Sequence, residues 1–460
     1  MKIFLVYLVI DSPQNTGYNY GLGYIASVLK KGGHQVDSIV LKNEKDIAEF
    51  YEKVKTENPR IIGFSTTTSQ FYFLKNIAKE IKRVSESFLV CGGVHPTLKP
   101  ECILEVPELD AIVRGEGEHP MLELADAFEQ KEDFKNIKNF WFNKNGEIIK
   151  NEVRPLISNL DELPFPDRDS LDYQKIIDEA RGTNRFIFSR GCPFNCTYCS
   201  NKALSKVYPD SEHYFRLISP ERAIEQIKKD EQKYKFKYIA FDDDTISLNK
   251  KWFFAFFNLY KENFAYPFRC NLRVGTVDSD MMKLLKEAGA QGIGIGIEHG
   301  NEEFRKKILK RNITDEQMED LFSLCKKYDI KHTDFMMVGL PFETKELFLD
   351  TVKFCRKVSA KGNANIFQPY PSTELSDICE ENDWLPEKDR FKERKEAVIN
   401  YPNFSKKEIQ LCHNIFPYLL RYKFIPLKTP LRLVWYTFKT LKIIKNIILF
   451  IPRRLKKWTK

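Results

Sequence analysis

The sequence predicts an α/β protein with two successive parallel-sheet domains and a mainly helical C-terminal region. Short apolar runs alternate with helical patterns over residues 1–150 and again over residues 185–375. Between them, residues 151–184 are rich in proline and charge and have no sustained period, as expected of a linker. Residues 376–460 form the C-terminal region, and a chain of 460 residues has room for two or three domains.

The first domain is predicted to be a doubly wound, Rossmann-like sheet. Strands are expected at residues 2–10, 35–41, 61–65, 88–91 and 111–113, and helices at 23–31, 45–55, 71–84 and 118–129. Ligands of such sheets bind at the carboxyl ends of the strands, where glycines let the backbone approach a large flat molecule. The alternative interpretation is that the loops after these strands are ordinary turns that bind no ligand. The candidate ligand-binding residues are Ser65, Thr66, Gly92, Gly93, Gly115 and Glu116.

The second domain repeats the alternation in six βα units. Strands are predicted at residues 185–189, 238–242, 268–274, 292–297, 332–338 and 363–368. Helices are predicted at residues 220–234, 250–264, 278–288, 314–328 and 344–357. In barrels of parallel strands the chemistry lies at the C-terminal strand ends, so the residues there are the candidates for function.

Three cysteines, Cys192, Cys196 and Cys199, follow the first strand of this domain with the spacing C-x3-C-x2-C. Three thiolates from one loop can hold three corners of an iron–sulfur cube, and since ordinary ligation uses four cysteines, one iron stays open. Zinc binding and chance clustering among the 10 cysteines of the chain are the alternatives, but zinc sites of this kind use two cysteine pairs and no second pair follows. The remaining cysteines are scattered and are predicted to be reduced and buried.

The stretch RFIFSRGCPFNCTYCS, with Tyr198 before its last cysteine, resembles the radical S-adenosylmethionine enzymes. The strings GLGYIASVLKKGGHQVD, GFSTTTSQ, CGGVHPTLKPE, IVRGEGE and LDELPFPDR are similar to the cobalamin-binding branch of that family. The resemblance implies an N-terminal cobalamin-binding domain and a partial (β/α)6 barrel over residues 185–375. It also implies three cofactors, namely a [4Fe–4S] cluster, S-adenosylmethionine and cobalamin.

The resemblance also implies roles for residues at the strand ends of the barrel. Asp242 and Asp243 in FDDDT are expected near the amino group of S-adenosylmethionine, and Arg273 near its carboxylate. Glu298, which ends the strand GIGIGIE, is expected at the ribose, and Gly339 at the adenine. A solvated turn for the aspartates and a structural salt bridge for the arginine are the alternatives.

The chain lacks the string D-x-H-x-x-G, whose histidine ligates cobalt from below in many cobalamin domains. His34, His95 and His119 are candidates by composition only, and His95 and His119 are expected to position loops. The resemblance is therefore to members that bind cobalamin without a lower protein ligand.

These parts imply that a radical formed from S-adenosylmethionine removes a hydrogen from an unactivated carbon, and that methylcobalamin delivers a methyl group there. The expected substrate is a small molecule or lipid, and the expected reductant is a protein such as ferredoxin or flavodoxin. A cobalamin-dependent cyclisation, oxidation or rearrangement is the main alternative. A non-enzymatic cluster or cobalamin sensor is a remote one, since it needs no FDDDT or GIGIGIE. The missing second cysteine set and RNA-binding domain argue against nucleic acid.

The net charge of +9 belongs to the C-terminal end of the chain. Residues 415–460 contain 12 Lys and Arg and no Asp or Glu, which leaves 61 basic against 64 acidic residues elsewhere. Between Pro430 and Pro452 the pattern predicts an amphipathic helix lying on a membrane surface, with packing on the barrel as the alternative. We expect a cytoplasmic protein with peripheral contact at the inner membrane face, because the apolar N-terminus is short and has no cleavage site.

Overall fold

The computed structural model describes residues 1–12, 17–385, 394–427, 429–431 and 433. Within these residues the chain forms a seven-stranded sheet, a six-stranded sheet and a small two-stranded ribbon. The α/β class is therefore confirmed. Most of the predicted tail helix, residues 430–452, lies outside the described residues. None of the helices in the described part is long and apolar enough to cross a membrane.

The N-terminal domain contains seven strands and five helices. The strands are β1 (Lys2–Leu8), β2 (Gln35–Leu41), β3 (Ile61–Ser65), β4 (Phe88–Gly92), β5 (Ala111–Val113), β6 (Phe140–Lys144) and β7 (Glu147–Lys150). The helices are α1 (Tyr20–Lys31), α2 (Glu44–Glu57), α3 (Thr68–Lys82), α4 (Val94–Leu98) and α5 (Glu118–Gln130). The strand order is β2-β1-β3-β4-β5-β6-β7, and the first five strands are parallel. All five predicted strands and four predicted helices of this domain are present.

Two apolar layers, one on each face, explain why the parallel strands are buried runs and not alternating ones. One face of β1, with Phe4 and Val6, packs on α2 and α3 through side chains such as Phe50 and Leu74. The other face packs on α1 and α5 through a separate cluster that includes Leu124. This double-sided burial places the ligand-binding edge at the carboxyl ends of the strands.

The hairpin of β6 and β7 was not predicted, although the sequence carries a signal for it. Asn145 and Gly146 connect the two strands, and both have positive φ values, 54° and 94°. An Asn-Gly pair between apolar residues is the strongest short-range hairpin signal, because its turn needs positive φ at both positions. The hairpin pairs antiparallel with β5 and so extends the sheet beyond its parallel part.

The second domain is built on six parallel strands in the order β15-β14-β13-β12-β11-β8. They are β8 (Thr183–Phe186), β11 (Tyr238–Phe241), β12 (Phe268–Leu272), β13 (Ala290–Glu298), β14 (Lys331–Val338) and β15 (Gly362–Ile366). The ribbon is β9 (Ser189–Arg190) with β10 (Arg216–Leu217). The helices are α7 (Ser200–Ser205), α8 (Pro220–Lys233), α9 (Lys250–Asn263), α10 (Ser279–Glu287), α11 (Glu302–Lys307), α12 (Asp315–Lys327) and α13 (Lys345–Lys357). The six predicted strands are confirmed as a partial barrel.

Residues 151–184 are held by contacts to both domains and contain the helix α6 (Tyr173–Glu179). The buried guanidinium of Arg168 donates to Asn184 Oδ1 at 2.6 Å and pairs with Asp230 at 2.6 Å. The same guanidinium lies 5.3 Å from the ring centroid of Tyr18 in the first domain. This stretch therefore fixes the two sheets against one another.

Two further helices are described in the C-terminal region, α14 (Glu374–Glu381) and α15 (Lys406–Arg421). Helix α15 packs beside β15 and α13 and buries an apolar face that includes Ile409 and Phe416. Its start is stabilised by a capping box between Ser405 and Glu408. The described part of this region is helical, as predicted.

Candidate functional site

A large cavity lies between the two domains, at the carboxyl ends of the first-domain strands. Its empty volume, including the open mouth, is about 1220 Å³. The lining is largely apolar, with glycines from three strand-end loops on one side and the segment 187–191 on the other. Segment 187–191 leads directly into Cys192, so one wall of the cavity continues into the cysteine loop.

Five of the six predicted first-domain residues line this cavity, namely Ser65, Gly92, Gly93, Gly115 and Glu116. At Gly115, where φ is 76°, a Cβ atom would lie 2.8 Å from the hydroxyl of Tyr208 on the opposite wall. The glycine therefore keeps the passage between the two walls open. Thr66 is different, because its buried hydroxyl lies 3.3 Å from Cys91 Sγ and it is not among the lining residues.

Glu116 lines the cavity but is committed to an ion-pair network that joins the domains. It accepts hydrogen bonds from Arg190 Nη1 at 2.7 Å, from Arg216 Nη1 at 3.1 Å and from the Ile157 amide at 2.8 Å. Arg190 also donates to Glu118 at 2.6 Å. Burial alone raises the pKa of Glu116, but the two guanidinium charges outweigh it and hold the pKa below its usual value. The structure thus gives Glu116 a role in joining the domains.

Tyr20 on the cavity wall was not singled out from the sequence. Its buried hydroxyl has no hydrogen-bond partner among the described residues. Burial raises the pKa of Tyr20 well above the ordinary value, and the charges of Asp242 and Arg185 also act on it. Tyr20 therefore lies where the cavity meets the second sheet. The segment YNYG at the start of α1 has no recognisable motif, so only the packing of the domains identifies this position.

The cysteine loop follows β9 and ends at α7, whose N-cap residue is Cys199. Cys196 is buried, and Cys192 and Cys199 are partly buried. Burial raises the pKa of the Cys199 thiol to about 12, and the neighbouring Cys196 and Cys192 also contribute to this rise. The three thiols therefore lie within electrostatic reach of one another.

Two arginines approach the sulfur of Cys196, Arg273 directly after β12 and Arg311 in the loop between α11 and α12. Arg273 Nη1 lies 3.7 Å from Cys196 Sγ, and its guanidinium stacks 3.5 Å from the ring centroid of Phe194. Arg311 also hydrogen-bonds this sulfur, and it donates to the Gly296 carbonyl at 2.6 Å. Arg311 was missed in the sequence because its segment, KRNITDE, carries no motif. Two guanidiniums stabilise negative charge on a thiolate or on a cluster.

Glu298 ends β13 with a φ of 63°, so its side chain leaves the strand direction. Tyr198 hydrogen-bonds its carboxylate, and Arg311 and Arg273 act on it electrostatically. Burial is the largest effect and raises the pKa of Glu298. The structure therefore places the predicted Glu298 and Arg273 together at the cysteine loop. At Gly296 an added Cβ would lie 2.4 Å from Glu298 Oε1, which explains a glycine in this strand.

The three aspartates after β11 point to three different partners. Asp242 accepts from Arg185 Nε at 2.5 Å and from Arg269 Nη2 at 3.1 Å. Asp243 is fully buried and accepts from the amides of residues 188 and 189 and from the Ser189 hydroxyl at 2.5 Å. Burial raises the pKa of Asp243 to about 6. These bonds position the strand before the cysteine loop, and the second carboxylate oxygen of Asp243 has no hydrogen-bond partner among the described residues. Contact of Asp242 and Asp243 with the amino group of S-adenosylmethionine stays a prediction.

Asp244, which was not a candidate, is the aspartate at the cysteine loop. It accepts a hydrogen bond from Asn201 Nδ2 at 2.8 Å, and its charge acts on the thiols of Cys192 and Cys199. Burial raises the pKa of Asp244. A strand end turns successive side chains to opposite sides, so the choice among three adjacent aspartates depends on where the strand stops.

Gly339 takes part in packing the C-terminal region on the barrel. Its amide donates to Glu343 Oε2 at 2.6 Å, and its carbonyl accepts from the Tyr401 hydroxyl at 3.0 Å. A Cβ at this position would lie 2.6 Å from Ile409 on α15. Both backbone groups are thus occupied by protein partners, and the expected contact of this glycine with an adenine stays a prediction.

Two of the three candidate histidines, His34 and His95, have protein partners and lie outside the cavity lining. His34 lies 2.9 Å from Asp126, and His95 lies 3.2 Å from the Thr68 hydroxyl and stacks on Phe71. Burial lowers the pKa of His95 to about 4, so its ring is neutral. The residues that line the cavity in the described part of the chain include no histidine.

The residues present fit two of the three cofactors that the sequence implies, cobalamin and the iron–sulfur cluster. The glycine loops, the apolar lining and the unpartnered Tyr20 hydroxyl fit a large flat ligand such as cobalamin. Three close thiols with two guanidiniums fit an iron–sulfur cluster. Within the described residues no three His, Cys, Asp or Glu side chains are arranged for a metal ion. A four-iron cube holds its sulfurs farther apart than a single ion does.

Comparison with known proteins agrees with this architecture. The radical SAM superfamily model matches residues 186–355, and the B12 binding domain model matches residues 7–125. An uncharacterised methyltransferase of Pyrococcus horikoshii is 32% identical over 398 residues, covering 84% of this chain and 85% of that protein. An anaerobic magnesium-protoporphyrin IX monomethyl ester cyclase of Rubrivivax gelatinosus is 27% identical, covering 77% of this chain and 65% of the cyclase.

A solved structure has the same fold. The radical S-adenosylmethionine methyltransferase TsrM of Kitasatospora setae, with cobalamin and a [4Fe–4S] cluster bound, has a TM-score of 0.64 and 18% identity. The alignment covers 84% of this chain and 79% of that one. The fold and site thus define a radical S-adenosylmethionine enzyme with a cobalamin-binding domain. The chain belongs to the cobalamin-dependent radical S-adenosylmethionine methyltransferase family, whose cofactors are a [4Fe–4S] cluster, S-adenosylmethionine and cobalamin.

Proposed function

We propose that this enzyme methylates an unactivated carbon of a small-molecule or lipid substrate. The observation that supports this most is the cavity between the domains, which is lined by strand ends of the first domain and by segment 187–191 of the second, the segment that continues into Cys192. Such an arrangement brings a methyl donor in the first domain next to a radical source in the second. The similarity to a named methyltransferase over 84% of the chain supports the same reaction class.

When bound, the cluster with S-adenosylmethionine supplies hydrogen-atom removal, and methylcobalamin supplies the methyl group. The chain's own residues orient these groups and exclude water. Gly92, Gly93 and Gly115 let the backbone lie close to a planar ligand, and Glu116 with Arg190 closes the wall between the domains. Cys192, Cys196 and Cys199 are the proposed cluster ligands. Reduction of the cluster is assigned to a ferredoxin or flavodoxin.

The arginines at the cysteine loop have two tasks in this proposal. Arg273 and Arg311 stabilise the negative charge at Cys196, and Arg273 remains available to the carboxylate of S-adenosylmethionine. A guanidinium suits a carboxylate because it can form two parallel hydrogen bonds. Glu298, next to both, is proposed to accept a hydrogen bond from the ribose. Asp244 joins Asp242 and Asp243 as a proposed partner of the amino group.

The test is a labelling experiment with the reconstituted enzyme. S-adenosylmethionine with a deuterated methyl group is incubated with separate lipid and polar extracts from cells lacking this protein. Mass spectrometry is expected to find a product that carries the deuterated methyl group, together with 5′-deoxyadenosine. The variant Cys192→Ala, which lacks a proposed cluster ligand, is expected to form neither. Formation of 5′-deoxyadenosine with an unlabelled new product contradicts methylation.

A second candidate is a radical cyclisation or oxidation without methyl transfer. The similarity to an anaerobic cyclase over 77% of the chain favours it. The two candidates share the cofactors and the hydrogen-removal step, so the fate of the methyl group distinguishes them. An unlabelled product that has lost hydrogen identifies the second candidate.

We also propose that the basic C-terminal end contacts anionic membranes. The 12 basic and no acidic residues of 415–460 support this, since each Lys or Arg near an anionic surface contributes about 1 kcal/mol. Membrane contact would bring the cavity close to a lipid substrate, though a soluble substrate is compatible with it.

A further inference from the structure

The second sheet has two faces of different character. One face packs on α8 to α13 through side chains such as Ile239, Phe241 and Ile295. The opposite face is called the inner face here, and β12 and β14 alternate between buried and partly or fully exposed residues accordingly. Polar residues on the inner face therefore remain accessible to a ligand inside the partial barrel. The residues of interest on it are Arg185, Ala240, Asp242, Arg269, Asn271 and Phe335.

Two of these residues form a pair of arginines around a small residue. Arg185 on β8 and Arg269 on β12 are both in register with Ala240 on β11, which lies between them. Because alanine fills little space, both guanidiniums can bend inward over it. Both reach Asp242, two positions farther along β11, at 2.5 and 3.1 Å.

The charges of Arg185, Arg269 and Asp242 do not cancel. Two guanidiniums share one carboxylate, and neither arginine has another ion-pair partner among the described residues. The Arg185 side chain is 28% exposed and that of Arg269 is 37% exposed, whereas Asp242 is 14% exposed. The positive groups therefore face the open space, and a net charge of one remains for a ligand to neutralise.

The position of the pair connects it to the cavity. Tyr20 lines the cavity and has a buried hydroxyl without a hydrogen-bond partner among the described residues. It lies close enough to Arg185 and Asp242 for their charges to act on the pKa of its hydroxyl. Asn271, next along β12, donates to the Asp243 carbonyl at 3.1 Å, so the group is joined to the strand end beside the cysteine loop. A ligand held by the arginines thus lies between the cavity and the cysteine loop.

An apolar surface adjoins the same place. Phe335 on β14 is 39% exposed, and its ring covers Gly294, where an added Cβ would lie 3.0 Å from the ring. An exposed aromatic ring inside a partial barrel offers a contact for the apolar part of a ligand. The inner face therefore combines anion recognition with an apolar contact.

We propose that Arg185 and Arg269 bind a carboxylate or phosphate group of the substrate, whose apolar part lies against Phe335. Guanidiniums recognise both groups through parallel, charge-assisted hydrogen bonds. The proposal rests on the proposed function, because it identifies a chemical group of that enzyme's substrate. Held at the arginines, this group directs the rest of the substrate towards the space between Tyr20 and the cysteine loop.

The test measures anion binding without any turnover. Inorganic phosphate and, separately, benzoate are titrated by calorimetry into the full-length protein, purified without oxygen, at constant ionic strength. Saturable binding to the wild type is expected, with about tenfold weaker binding for Arg269→Gln, which loses charge-assisted hydrogen bonds. The tighter of the two probes indicates whether the natural group is a phosphate or a carboxylate.

The variant Asp242→Asn is expected to change anion affinity in the opposite direction to Arg269→Gln. Removing the neutralising carboxylate is expected to tighten anion binding at least a fewfold, whereas a purely structural ion pair predicts no gain. The matched control is Arg83→Gln, an exposed arginine paired with Glu80 on the N-terminal domain, for which binding is expected to equal that of the wild type.

Three results overturn the proposal: no binding of either probe to the wild type, equal binding by wild type and Arg269→Gln, or binding by Asp242→Asn that is no tighter than that of the wild type. None of them bears on methyl transfer, because no cofactor reaction is measured. Conversely, an unlabelled product in the labelling experiment leaves the anion site intact. The two proposals therefore fail independently.

Discussion

The ion-pair network at Glu116 gives a quantitative test of how the two domains are held together. The substitution Glu116→Gln keeps the shape of the side chain and removes its charge. Arg190 and Arg216 would then lose a shared partner whose side chain is only 11% exposed, while their own side chains are 20% and 8% exposed. Removing one member of a buried ion pair leaves uncompensated charge, which costs about 3 kcal/mol of unfolding free energy.

Urea unfolding followed by circular dichroism measures this loss. Since the unfolding free energy of a large chain falls by several kcal/mol per molar urea, the midpoint of Glu116→Gln is expected about 0.5–1 M below that of the wild type. The control is Glu123→Gln, whose carboxylate is 49% exposed and pairs with Arg154 at 2.9 Å. Such a surface pair is expected to contribute less than about 1 kcal/mol.

The pH dependence of the same difference has a defined sign. Because the folded pKa of Glu116 is held below its ordinary value of 4.5, its contribution to stability is present above that value. The contribution is lost as the pH falls through the lower folded pKa. The gap between wild type and Glu116→Gln is therefore expected to be constant near neutral pH and to shrink in acid.

Equal midpoints for Glu116→Gln and Glu123→Gln would refute the reasoning, because the network would then contribute no more than a surface pair. Cobalamin retention after gel filtration provides a second measurement. We expect Glu116→Gln to retain less cobalamin than Glu123→Gln, since Arg190 lies in the cavity wall and connects it to the cysteine loop.

Three further predictions concern the cofactors and the tail. Replacing Cys192, Cys196 or Cys199 by Ala is expected to abolish 5′-deoxyadenosine formation and to lower the amount of bound iron. The control Cys325→Ala, in the core, is expected to keep both. If one of the first three variants still cleaves S-adenosylmethionine, that cysteine is not a cluster ligand. Electron paramagnetic resonance of the cobalt(II) protein is expected to lack lower-face nitrogen coupling, and a resolved nitrogen triplet would contradict this. Full-length protein is expected to co-sediment with anionic liposomes at low salt, whereas a chain ending at Tyr422 stays in solution; if both stay in solution, the tail does not bind membranes.

Much of the fold was readable from the sequence because local patterns carry it. Each predicted strand of the two parallel sheets is a short apolar run bounded by turn residues, and the structure places all eleven as strands. The helices between them follow the period of their apolar residues and are capped by side chains such as Thr314 and Asn249. The short elements were missed, including α4, α6 and the ribbon of β9 and β10, since a few residues are too short to show a period.

The sequence by itself determined the order of the parallel strands and their longer helices, the cysteine loop and the family resemblance, because each of these depends on residues that are neighbours in the chain. Only the tertiary structure decided which distant charged groups meet. Glu116 lies 74 residues before Arg190, and Arg185 meets Asp242 across 57 residues. The periodicity of a segment reports which of its faces is buried, but it contains nothing about the partner on another strand. How the two domains pack therefore decides which partner each of the three adjacent aspartates contacts. It also decides that Tyr20 lies beside the second sheet.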